Sequence, residues 1–129
     1  MYARRYVQAQ NETASPERLM VLLFQTALRH IRTSIAALEA GRFQEAALAS
    51  EKAQQIVVHL GVTFDRSKHP ELGDNLGKVY KFTGHRLLMG VARRDPQMFR
   101  DAERAFAPIA DAFTTAVAQM SAAAAGAAR

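Results

Sequence analysis

The chain contains neither cysteine nor tryptophan. Without cysteine there is no disulfide and no thiolate metal site, which fits a reducing compartment such as the cytoplasm. Long apolar runs are absent as well. The longest, Leu19 to Phe24, is far too short to cross a bilayer, so no stable membrane insertion is expected. The opening residues Met1-Tyr2-Ala3-Arg4-Arg5-Tyr6 carry charge with no apolar stretch behind them, so no signal peptide is expected either. No segment reads as a strand.

Catalytic and metal-binding patterns are also missing. His30, His59, His69 and His85 have no histidine partner three or four residues away, and there is no HExxH. No phosphate-cradling glycine loop occurs, and no Glu-x-x-His pair of the kind that builds metal sites in helical bundles. No catalytic residue, metal ligand set or cofactor is therefore expected, and the chain does not read as an enzyme. Charge is one-sided: 17 Lys and Arg against 12 Asp and Glu give +5 and a pI near 10.1. That balance admits nucleic acid, an anionic membrane or an acidic protein. The basic residues are spread over Arg4-Arg5, Arg29 and Arg32, and Arg93, Arg94, Arg100 and Arg104. Such scatter suits solvated helix faces and helix C-termini better than one phosphate-tracking stripe, so no nucleic-acid partner is expected.

What is present is helical periodicity. At 129 residues and 49% hydrophobic content, the chain is one domain with enough apolar material for a core. Ser15-Pro16 reads as an N-cap followed by proline at the first helical position, where a missing N–H costs nothing. Helix one then runs from about Pro16 to Ala40, with Met20, Leu23, Phe24, Ala27, Ile31, Ile35 and Leu38 at three- and four-residue steps, and Gly41 as its left-handed cap. Helix two runs from about Phe43 to Leu60 on Ala46, Ala49, Ala53, Ile56 and Leu60, with Gly61 expected to close it. Val62 to His69 reads as a loop. Helix three opens at Pro70 and ends near Arg94, with Leu72, Leu76, Val79, Thr83, Leu87 and Gly90 as its inner stripe. Asp95-Pro96 repeats the cap logic for helix four, in which Pro108 predicts a kink. The alanine-rich tail from Ser121 to Arg129 either extends helix four or frays, and it has too little apolar bulk to be anchored. The expected fold is all-α: an antiparallel, up-down four-helix bundle over 1–129, with residues 1–14 as an N-terminal extension and 121–129 as a mobile tail.

Helix three has an oddity. It carries Gly73, Gly77, Gly84 and Gly90, each costing about 0.5–1 kcal/mol relative to alanine in a helix interior. At about 100° per residue, Gly73, Gly77 and Gly84 fall within roughly 40° of one another, bordered by Tyr80 and Val91. Gly90 falls on the inner stripe and reads as a close-packing site. The strip either lets a neighbouring bundle helix approach closely or forms a shallow groove for a guest helix, anchored at Tyr80. On helix two, Leu48 and Val58 fall off the inner stripe, which hints at an apolar outer surface.

Several of these segments, in order, resemble one family. Thr13-Ala14-Ser15-Pro16 running into Leu22-Leu23-Phe24, with Tyr6 seven residues upstream, is similar to the flagellin-specific export chaperones, the FliS family. Lys52-Ala53-Gln54-Gln55-Ile56-Val57, Glu71-Leu72-Gly73-Asp74-Asn75-Leu76, Val79-Tyr80-Lys81-Phe82 with Arg86-Leu87, and Arg94-Asp95 extend the match in order. The chain departs from the family at His69-Pro70, Thr83-Gly84, Gly90-Val91 and Phe113. The resemblance implies a cytoplasmic bundle that binds the disordered C-terminal segment of flagellin, blocks premature polymerisation and meets an export-gate component when loaded. A homodimer of the free protein is compatible with it. On this reading the peptide-binding residues are Tyr6, Gln54, Asn75, Tyr80 and Arg86, joined by Leu48, Gly77, Gly84 and Val91 from the helical wheel. Gln54 and Asn75 serve either the guest backbone or bonds within the bundle, and Arg86 either the guest or a surface ion pair. The alternatives are a basic bundle that binds nucleic acid and a structural oligomerisation module.

Overall fold

The computed structural model describes residues 15–64 and 67–127. Four helices follow in order: α1, Pro16–Glu39; α2, Phe43–Thr63; α3, Pro70–Arg93; and α4, Pro96–Ala127. Among the described residues there is no strand. Helix α1 packs on α2 and α4, and α3 packs on the same two, so the four form a ring around one core.

Local chemistry sets most of the helix ends. The Ser15 hydroxyl accepts from the Arg18 N–H at 3.2 Å, and Asp95 Oδ1 accepts from the Gln97 N–H at 2.9 Å. Helix α1 stops at a Schellman turn. Gly41, at φ 78°, donates to the Leu38 carbonyl, and the Arg42 N–H reaches the Ala37 carbonyl at 2.8 Å. The same turn ends α3 with Arg94 in the left-handed position at φ 49°, where an L side chain is disfavoured. Its guanidinium lies 3.9 Å from the centre of the Phe43 ring, a cation–π contact that helps hold the conformation and ties the α3–α4 turn to the start of α2.

Two expectations change here. Helix α2 does not close at Gly61 but continues to Thr63. The Thr63 hydroxyl donates back to the His59 and Leu60 carbonyls, which would otherwise be left over at the helix end. The buried face of α3 keeps Thr83, Leu87 and Gly90 of the expected stripe, but its first half differs. Leu72 is 50% exposed, whereas Tyr80 is 7% exposed and Gly73 is buried. Helix α4 continues through Pro108 to Ala127, so the tail as far as Ala127 extends the helix. Pro108 and Arg104, whose carbonyl loses its helical donor, are both exposed, where water can take that place.

The core is built on aromatic residues of α1 and α4. Phe24 meets Phe106 and Phe113 with ring centres 5.8 and 5.1 Å apart. Phe99 seals the other end of the α3–α4 seam against Gly90. Buried hydroxyls are mostly bonded to backbone: Ser34 to the His30 carbonyl and Ser50 across to Leu87. Thr83 is the exception, since its fully buried Oγ1 has no partner among the described residues. Thr83→Val keeps the shape and removes the orphaned hydroxyl, so a gain of about 1 kcal/mol in unfolding free energy is expected from urea denaturation.

Candidate functional site

A groove of about 390 Å³ opens on the outside of the bundle between α2 and α3. From α3 come Gly77, Tyr80, Lys81, Gly84 and His85; from α2 come Gln54, Val57, Val58, Gly61 and Val62. Helix period explains the assembly. Gly77 and Gly84 are two turns apart on one side of α3, and Val58 and Val62 are one turn apart on the facing edge of α2. Val58 and Val62 are 65% and 76% exposed, so the α2 bank is apolar surface turned to solvent. Gly84 has nothing within 4 Å of where a Cβ would stand. No packing among the described residues therefore requires a glycine there.

Tyr80 forms the floor. Its ring packs against Gly61, where an added Cβ would sit 3.7 Å from Cδ2. The same ring lines a second, almost wholly apolar groove of about 390 Å³, to which Met20, Phe24, Leu72, Leu76, Ile109 and Phe113 also contribute. Burial pushes the Tyr80 hydroxyl up to about 12 from its ordinary value. The neutral phenol is thus the form the fold favours. Its contribution to stability is complete below the unfolded value near pH 10 and is lost as pH rises toward 12. Urea denaturation at pH 9 and pH 11 should show a loss for the native chain and a smaller one for Tyr80→Phe.

The other expected site residues divide. Gln54 lines the groove, and its amide donates to Ser50 Oγ at 3.2 Å, so it serves the bundle while facing the opening. Ser50 bonds Leu87 across the α2–α3 seam, and neither Leu48 nor Val91 lines the groove. Leu48 is 53% exposed, and Val91 is half-buried against the core. Asn75 is exposed and does not line the groove. Arg86 is not in the groove either. It turns toward α4, where Nη1 donates to Met98 Sδ at 3.0 Å. Tyr6 lies outside the described residues. The glycine strip is thus split: Gly77 and Gly84 face the groove and Gly73 is buried. Val57, Gly61, Val62, Lys81 and His85 were not foreseen as site residues. The spacing of Val58 and Val62 was the available signal, obscured by ending the helix at Gly61.

Elsewhere the surface is charged. Arg32 pairs with Glu103 and Arg100 with Glu39, both at 2.7 Å across α1 and α4. Exposed pairs of this kind contribute at most about 1 kcal/mol each. With their charge already answered, these arginines do not form a free phosphate-binding stripe. Among the described residues no group of His, Asp and Glu could hold a metal ion, and no helix is long and apolar enough to cross a membrane.

The solved structure of a bacterial flagellar chaperone shares this fold, with a TM-score of 0.71 over 92% of this chain and 96% of that one at 16% identity. A curated relative, the flagellar secretion chaperone FliS of Bacillus subtilis (strain 168), is 28% identical over 112 residues, covering 87% of this chain and 83% of its own length. The sequence profile described as flagellar protein FliS matches residues 1–120. A match over nearly the whole length, on a bundle of the same fold, means that this chain belongs to the FliS family of flagellar secretion chaperones.

Proposed function

We propose that this chain carries flagellin in the cytoplasm, holding its C-terminal segment in the α2–α3 groove until the loaded complex reaches the export gate. The observation that carries the reading is Gly84: a helix-interior glycine with open space above it, facing an apolar bank on α2. Such a residue lowers helix stability by about 1 kcal/mol and returns nothing to the packing among the described residues. It does allow another backbone to come close. A disordered guest that folds on its host loses several kcal/mol of ordering free energy, so it needs a long apolar contact. The groove between α2 and α3 offers one. Burying the guest's assembly segment blocks its packing against other flagellin subunits. Binding and release need no nucleotide.

The direct test is calorimetry and circular dichroism with a peptide of the cognate flagellin C-terminus. A 1:1 complex with a gain of helix, only mildly weakened by salt, is expected. No heat and no helix gain would remove the proposal, and affinity falling steeply with salt would favour a polyanion-binding role instead.

A further inference from the structure

The two banks of the α2–α3 groove differ in charge. The α2 bank is valine and glycine apart from Gln54, whereas the α3 bank carries Lys81 and His85, both exposed and one helical turn apart. On the α3 wheel, Gly84 lies about 20° to one side of Gly77, with Lys81 and His85 about 40° and 80° to the other. The glycines therefore form the trough, and the two nitrogen-bearing side chains form its outer rim.

Nothing in the groove answers that charge. No carboxylate is among its lining residues. Three and four positions away from Lys81 on α3 stand Gly77, Lys78, Gly84 and His85, so its own helix supplies no acid within reach. Glu51, three residues before Gln54 on α2, pairs with neither Lys81 nor His85. By contrast, Arg32, Arg42 and Arg100 each meet a glutamate at 2.7 Å.

We infer that the groove selects a guest helix with an aspartate or glutamate beside its apolar stripe, taken up by Lys81 and His85. The inference rests on the groove being the seat of the guest and adds the chemistry that the guest presents. Charge complementarity fixes the occupant. The guest's apolar face turns toward Val58 and Val62 and its acidic flank toward α3, so the charges set its rotation about its own axis. A nucleic-acid strand or a flat anionic membrane fits less well. The cations stand on one bank only, and the other bank is exposed valine with no charge to track a row of phosphates.

The test uses the full chain at pH 7 and low ionic strength with two peptides of the cognate flagellin C-terminal segment, both amidated at the C-terminus. One has the native sequence; in the other, every Asp and Glu is replaced by Asn or Gln. Calorimetry should show the native chain holding the acidic peptide about five-fold more tightly than the amide one. A variant with both Lys81→Gln and His85→Gln should bind the two alike, at the weaker affinity and with an unchanged thermal midpoint. Lys81→Glu should weaken the acidic peptide further, and Lys52→Glu, the same charge change away from the groove, should weaken it far less. The inference alone is overturned if the native chain binds both peptides alike, if the double variant keeps the preference, or if Lys52→Glu acts as strongly as Lys81→Glu. If neither peptide binds the native chain, the groove reading falls and takes the inference with it. Binding to phosphatidylglycerol vesicles that is lost in the double variant, with no preference between the peptides, would overturn it in favour of a membrane surface.

Discussion

Replacing Gly90 with alanine should lower the unfolding free energy by about 2 kcal/mol, although alanine is the better helix former. The reason is Phe99. A Cβ at Gly90 would stand 2.6 Å from the ring's Cδ1, with Cε1 nearer still. The ring is fully buried, so it has no free volume to retreat into without pushing α4 away from α3. Gly84→Ala is the matched control: same helix, same exchange, open space instead of a ring, and an expected gain of about 0.8 kcal/mol from propensity. Urea midpoints at unchanged slope would give both values. Pairing Gly90→Ala with Phe99→Leu should recover part of the loss, because the two positions share one contact. A neutral Gly90→Ala would mean that the α3–α4 seam is looser than its geometry.

Filling the groove should separate binding from folding. Gly84→Leu places a branched side chain where the guest is proposed to lie, in space that none of the described residues occupies. Removing a central contact costs an interface about 2 kcal/mol, so affinity for the flagellin C-terminal peptide should fall about 30-fold. The thermal midpoint should stay level or rise. Gly61→Ala is a milder version. Its Cβ meets Tyr80 at an ordinary 3.7 Å, so it should be tolerated and weaken the guest only a few-fold. Full affinity in Gly84→Leu would move the guest to another surface, with the second, apolar groove lined by Tyr80, Met20 and Phe113 as the next place to look.

Helix starts and stops were largely readable from residue order, because the bonds that make them are local. Ser15 reaches only three residues ahead, Asp95 two, and Gly41 supplies its own left-handed backbone. Short connections then made neighbouring helices antiparallel. Gly61 misled for the same local reason: a glycine can end a helix, but here Thr63 satisfies carbonyls beyond it and the helix continues. The burial of α3 was not a local matter. Its apolar residues cover a broad arc, with Leu72 on one side and Tyr80 on another, and periodicity cannot say which sector a neighbour will cover. The placement of α2 and α4 settled that. It sent Tyr80 under the groove, left Leu72 half-exposed, turned Arg86 toward Met98 and gave Gly84 open space. Hydrogen bonds between near neighbours are written along the chain, whereas a groove belongs to the gap between two helices and exists only once both are in place.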